Sequence, residues 1–129
     1  MRQLERFFAG RETEEPAAVY LFGSVARGDD RPGSDVDVGV LFRRDPPPTL
    51  EGLPLRLEGE LEQLLGRAVQ VVTLNTAAAD LRARVLRDGV LILDRDPSLR
   101  IRFEVRTRNE WFDLQPILRE YRRVATPAE

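Results

Sequence analysis

At 129 residues, with 42% hydrophobic and 33% charged side chains, the chain has the length and balance of one globular domain rather than two. A net charge of −2 and a pI near 5.3 argue against a protein held on nucleic acid by bulk charge, and all twenty basic residues are arginine. With no cysteine and no histidine, the sequence excludes disulfides, thiolate or imidazole metal sites and any histidine general base.

The opening MRQLERFFAGRETEEP lacks the apolar run of a signal peptide, and no segment approaches membrane-spanning length, so a cytoplasmic protein without membrane contact is the default expectation. Leu4, Phe7 and Phe8 at i, i+3 and i+4 predict a short helix ending near Gly10. Pro16 introduces AAVYLF, an apolar run of strand formers, and GSVARG follows directly, where a short helix begins. After the turn-forming DDRPGS, residues 35–42 (DVDVGVLF) read as a second strand, and RRDPPPT as a stiff loop. Leu57, Leu61, Leu64 and Leu65 repeat at helical spacing from about Leu53 to a stop at Gly66. VQVVTL predicts a third strand, then a helix over AAADLRARVLRD capped by Asn75 or Thr76 and ended by Gly89, then a fourth strand in VLILD. Asp96 as N-cap and Pro97 at the first position open a last helical segment, about 97–123, which Pro116 is expected to kink or split. The alternation points to an α/β or α+β domain spanning 1–129, with a mixed sheet of about four strands packed by helices.

The chemistry is concentrated between Leu21 and Phe42. In an extended strand alternate side chains share a face, which places Asp35 and Asp37 together and sends Val36, Val38, Val40 and Phe42 the other way, into a core. Two carboxylates on one face raise each other's pKa, a cost that a divalent cation relieves; Mg2+ favours one or two carboxylates plus phosphate oxygens. Gly23 lets backbone amides approach a phosphate, and Ser24 adds a directed hydroxyl at the start of a helix. Arg27, one turn on, reaches either phosphate or the loop carboxylates Asp29 and Asp30, and Ser34 completes an S-D-x-D run. Singly these features are commonplace; jointly they are specific.

GSVARGDDRPGSDVDVGV resembles the signature of the DNA polymerase β-like nucleotidyltransferases, in the minimal nucleotidyltransferase (MNT) branch that includes the antitoxins of HEPN/MNT toxin–antitoxin pairs. The signature window covers about a sixth of the chain, and the order of elements after it resembles the same branch. The resemblance implies that Gly23 and Ser24 hold the triphosphate and that Asp35 and Asp37 are the catalytic ligands of two Mg2+ ions, with Arg27 and Ser34 as further candidates for the nucleotide site. It further implies transfer of a nucleoside monophosphate, AMP from ATP, to a hydroxyl, a tyrosine of a HEPN partner.

The pattern breaks at one position. The family brings a third carboxylate from the next strand, and VQVVTL has Gln70 there, an amide that carries no charge and cannot act as a base. The expectation is therefore an enzyme whose activity is weakened or lost, with a degenerate nucleotide-binding antitoxin that works by binding alone as the alternative. Gln70 on a merely exposed sheet face is an equally open reading. Trp111, Phe112 and Tyr121 beside REYRR are candidates for a protein interface or for anchoring the last helix, and RIRFEVRTR reads as a solvated helix face. Homo-oligomerisation stays open, and nothing points to direct nucleic-acid contact.

Overall fold

In the computed structural model, residues 2–9, 16–45 and 52–125 are described. Among the described residues, five helices and four strands follow in the order α1 (Arg2–Ala9), β1 (Pro16–Phe22), α2 (Gly23–Arg27), β2 (Val36–Phe42), α3 (Leu53–Leu65), β3 (Val69–Thr73), α4 (Ala79–Asp88), β4 (Val90–Asp94) and α5 (Pro97–Ala125). The prolines expected to stiffen a loop, at 46–48, lie outside the described residues.

The four strands form one mixed sheet in the order β3-β2-β1-β4. β1 pairs antiparallel with both β2 and β4, whereas β2 and β3 run parallel, joined by the α3 crossover that parallel pairing requires. β1 is central and all seven of its residues are buried, which explains why it reads as a continuous apolar run rather than an alternating one. Strand periodicity still sorts its side chains. Val19 and Leu21 join Val36, Val38, Val40 and Phe42 in a core under α1 and α3, with Leu4, Phe8, Leu57 and Leu61. Ala18, Tyr20 and Phe22 join Leu41, Leu74, Val85 and Phe103 in a second core under α4 and α5. The sheet is thus covered on both faces, a helix–sheet–helix arrangement.

Helix ends follow local chemistry in most places. Gly66 caps α3 in a left-handed conformation (φ 65°), with its N–H donating to the Glu62 carbonyl. Asp96 caps α5, its Oδ1 accepting from Leu99 N–H at 3.2 Å. Asn75 and Thr76 do not cap α4: that helix starts four residues after Asn75, behind Ala78, with no side-chain cap. Asn75 instead crosses to β2, where it accepts from Phe42 N–H and donates to Phe42 C=O, both at 2.9 Å, satisfying the last strand residue on both sides. Nor does Pro116 split α5, which runs through it to Ala125; the proline removes one donor from the ladder.

The arginine-rich start of α5 is less solvated than its composition suggests. Arg100 pairs with Asp94 at 3.0 Å and Glu104 at 3.1 Å, and Glu104 also accepts from the Tyr20 hydroxyl at 2.8 Å. Burial, followed by the hydrogen bond to Glu104, raises the Tyr20 phenol far above its ordinary range, so it acts as a fixed donor. On the same helix Thr107 is fully buried and hydrogen-bonded by Arg82, whose guanidinium also reaches Glu110. These contacts tie α5 to the sheet and to α4.

Candidate active site

The site forms where β1 ends. Phe22 is the last residue of β1 and Gly23 the first of α2, so the chain turns from strand to helix within one residue. The turn needs Gly23 at φ 76°, a conformation that other residues adopt at a cost. Gly23 is also fixed by space: a Cβ there would lie 2.2 Å from Oδ2 of Asp37. The missing side chain at 23 is what lets the Asp37 carboxylate sit against the start of α2.

Register brings the remaining partners alongside. Phe22 is opposite Asp37 across the β1/β2 pair, and Asp37 is opposite Gln70 across the β2/β3 pair, giving a row Phe22–Asp37–Gln70 over the sheet. Phe22, Gly23, Ser24, Arg27, Asp37, Gln70, Val72, Leu81 and Arg84 line one cleft of about 470 Å3. Gln70 is therefore not on a face remote from the motif: it lines the cleft beside Asp37.

Asp35 lies one residue before β2, exposed, and the strand begins at Val36. Asp37 is half-buried, and its carboxyl is raised above the ordinary range, first by burial and then by Asp35, with Arg27 opposing. Arg27 does pin the loop, through an ion pair to Asp29 at 3.3 Å, but both side chains are about half exposed, so the pair is weak and the guanidinium can turn to a ligand. Ser34 does not line the cleft; its hydroxyl accepts from Arg31 N–H at 2.8 Å, and its carbonyl accepts from Arg67 at 2.7 Å. Together with the Arg67–Asp30 pair at 3.4 Å, these bonds hold the loop that delivers Asp35.

The donor chemistry suits a hard divalent cation shared with a ligand. Asp35 and Asp37 offer only oxygen, and such an ion would favour the ionised Asp37 carboxyl that burial and then Asp35 disfavour. Among the described residues no cluster of three or more histidine, cysteine, aspartate or glutamate side chains could cage a metal. A cation here would thus need further oxygens, such as those of a phosphate.

Sequence reading did not single out Phe22, Val72, Leu81 or Arg84 as part of the site. Leu81 and Arg84 share one face of α4 at i and i+3, but only the packing of α4 over the sheet shows that this face meets the motif.

Residues 3–98 match the polymerase beta nucleotidyltransferase family. The chain is 38% identical over 77 residues, 57% of its length and 75% of the relative's, to MJ0435 of Methanocaldococcus jannaschii, provisionally named a protein adenylyltransferase. A crystal structure of a toxin–antitoxin with AMP-PNP has the same fold, with a TM-score of 0.73 at 22% identity, covering 93% of this chain and 96% of that one. So does a chain of the complex between a tri-AMPylated Shewanella oneidensis HEPN toxin and its MNT antitoxin, with a TM-score of 0.67 at 22% identity over 94% and 98% of the two chains. The chain belongs to the polymerase beta nucleotidyltransferase family and is a nucleotidyltransferase.

Proposed function

We propose that this nucleotidyltransferase transfers AMP from ATP, with Mg2+, to a hydroxyl of a protein acceptor, a tyrosine on a HEPN-domain partner, in the manner of an antitoxin. The observation that carries the reading is the cleft itself: a glycine whose missing Cβ admits a carboxylate, with Ser24, Arg27 and Asp37 around the same space. The provisional adenylyltransferase name of the M. jannaschii relative supports the AMP group, and the S. oneidensis complex supports the partner class.

In the proposed reaction the acceptor oxygen attacks the α-phosphorus, the bond to the β-phosphate oxygen breaks, and pyrophosphate leaves while the hydroxyl proton passes to solvent. Backbone amides at Gly23 and the Ser24 hydroxyl hold the phosphates, and Arg27 turns from Asp29 toward them. Asp35 and Asp37 would hold the cation, which supplies neutralisation of the leaving group and a lowered pKa for the acceptor hydroxyl. Gln70 contributes a neutral amide where a further carboxylate would complete the ligand set, so turnover is slow, by ~10²–10⁴-fold if the missing group counts as a single catalytic carboxylate. The exposed side chains of Ile117, Tyr121 and Val124, which share one face of the distal part of α5, give a partner apolar surface to bind.

Incubating the chain with α-labelled ATP and a HEPN-domain partner tests the reading. Label should reach the partner only with Mg2+, and Asp37→Asn should abolish it; absence of label under every nucleotide and metal condition would remove the transferase reading. Gln70 in the cleft favours a second reading, in which the partner is neutralised by binding alone. That reading holds if Asp35→Asn and Asp37→Asn leave neutralisation intact.

A further inference from the structure

A second cavity, of about 550 Å3, opens between α4 and α5, lined by Asp80, Ala83, Arg84, Leu86, Arg87, Arg108 and Trp111. Its size is that of a small-molecule site. Arg84 lines this cavity and the catalytic cleft alike, so the two spaces are neighbours.

The charges in it are unevenly engaged. Arg87 is turned to Asp88 through two contacts of 3.0 and 3.1 Å. Arg84 and Arg108 make no hydrogen bond or ion pair among the described residues; Arg84 acts on Asp88 only through space. Asp80 offsets one of the two, leaving a single net positive charge beside the half-buried indole of Trp111. An indole offers a stacking face, two guanidiniums offer donors to phosphate oxygens, and a carboxylate accepts from hydroxyls.

We propose that the α4/α5 cavity binds a nucleoside monophosphate group outside the catalytic cleft, with the base on Trp111, the phosphate between Arg84 and Arg108, and the ribose hydroxyls on Asp80. A phosphodiester carries one negative charge, matching the net charge of the cavity. Resting on the transfer reading above, the occupant is the AMP group once it is joined to an acceptor through a phosphodiester.

Trp111 is the sole tryptophan of the chain, so it reports on its own cavity. Titrating the isolated protein with AMP should quench its fluorescence saturably, without metal or acceptor. Arg108→Ala, at an exposed position, should weaken that binding at least about tenfold, whereas Gly23→Ala, which displaces Asp37 in the catalytic cleft, should leave it unchanged. No saturable quench, an undiminished one in Arg108→Ala, or one abolished by Gly23→Ala would overturn the proposal. The fluorescence result decides the cavity even if no transfer is ever observed, which separates it from the transferase reading.

Discussion

Gly23→Ala probes the junction on which the site depends. At φ 76° an alanine carries a backbone cost of about 1–2 kcal/mol. The added Cβ would also lie 2.2 Å from Oδ2, 3.1 Å from Cγ and 3.3 Å from Cβ of Asp37, so the whole aspartate must rotate. An off-rotamer side chain adds about 0.5–1.5 kcal/mol, giving a total of about 1.5–3.5 kcal/mol and a melting temperature lower by roughly 5–14 °C in a domain of this size. The functional effect should be larger, because displacing a catalytic group by about 1 Å costs on the order of 10² in rate. Gly28→Ala is the matched control: Gly28 has φ 77°, but nothing lies within 4 Å of its added Cβ. It should lose about 1–2 kcal/mol of stability and keep its transfer rate. Thermal melts and initial rates of AMP transfer for the two variants decide the matter. Equal transfer by both, after correction for folded fraction, would refute the account of Gly23 as the place where Asp37 is seated.

Gln70→Asp restores a carboxylate beside Asp37, and Mg2+-dependent transfer should rise by about 10²-fold or more in a radiolabel assay. Without metal, the raised pKa of Asp37 means the native state favours its protonated form; that disadvantage is absent at low pH and grows as pH rises through the folded-state pKa. Asp37→Asn should therefore raise the metal-free melting temperature more at about pH 8 than at about pH 4, and an equal effect at both would count against the buried-charge argument. Leu61, fully buried under the sheet between α3 and the strands, should lose about 2–5 kcal/mol on replacement by alanine in a denaturant titration.

Much of the architecture could be read from periodicity, because burial is a property that each strand and helix writes into its own sequence. Val36, Val38, Val40 and Phe42 do face a helix-covered core opposite Asp37, and the Gly66 and Asp96 caps fall where glycine and aspartate chemistry puts them. What escaped were contacts between residues far apart in the chain. Asn75 has the chemistry of a cap, yet the amide is drawn to Phe42 because the register of β2 and β3 sets two free strand groups within its reach. Glu104 has the composition of a solvated face, yet it accepts from the Tyr20 hydroxyl, 84 residues away, and holds Arg100 beside it. Asp35, Asp37, Gly23 and Ser24 were legible as a motif, being local; Arg84 and Leu81 entered the cleft only through the docking of α4. Gln70 was ambiguous between two sheet faces until the parallel register set it opposite Asp37.

The most direct test of the central claim is intact-mass analysis of a HEPN-domain partner after incubation with this chain, ATP and Mg2+. The account predicts gains in steps of ~329 Da, the increment for an adenylyl group on a hydroxyl, that vanish with Asp37→Asn. An unchanged partner mass, even with Gln70→Asp, or gains that persist in Asp37→Asn, would contradict it.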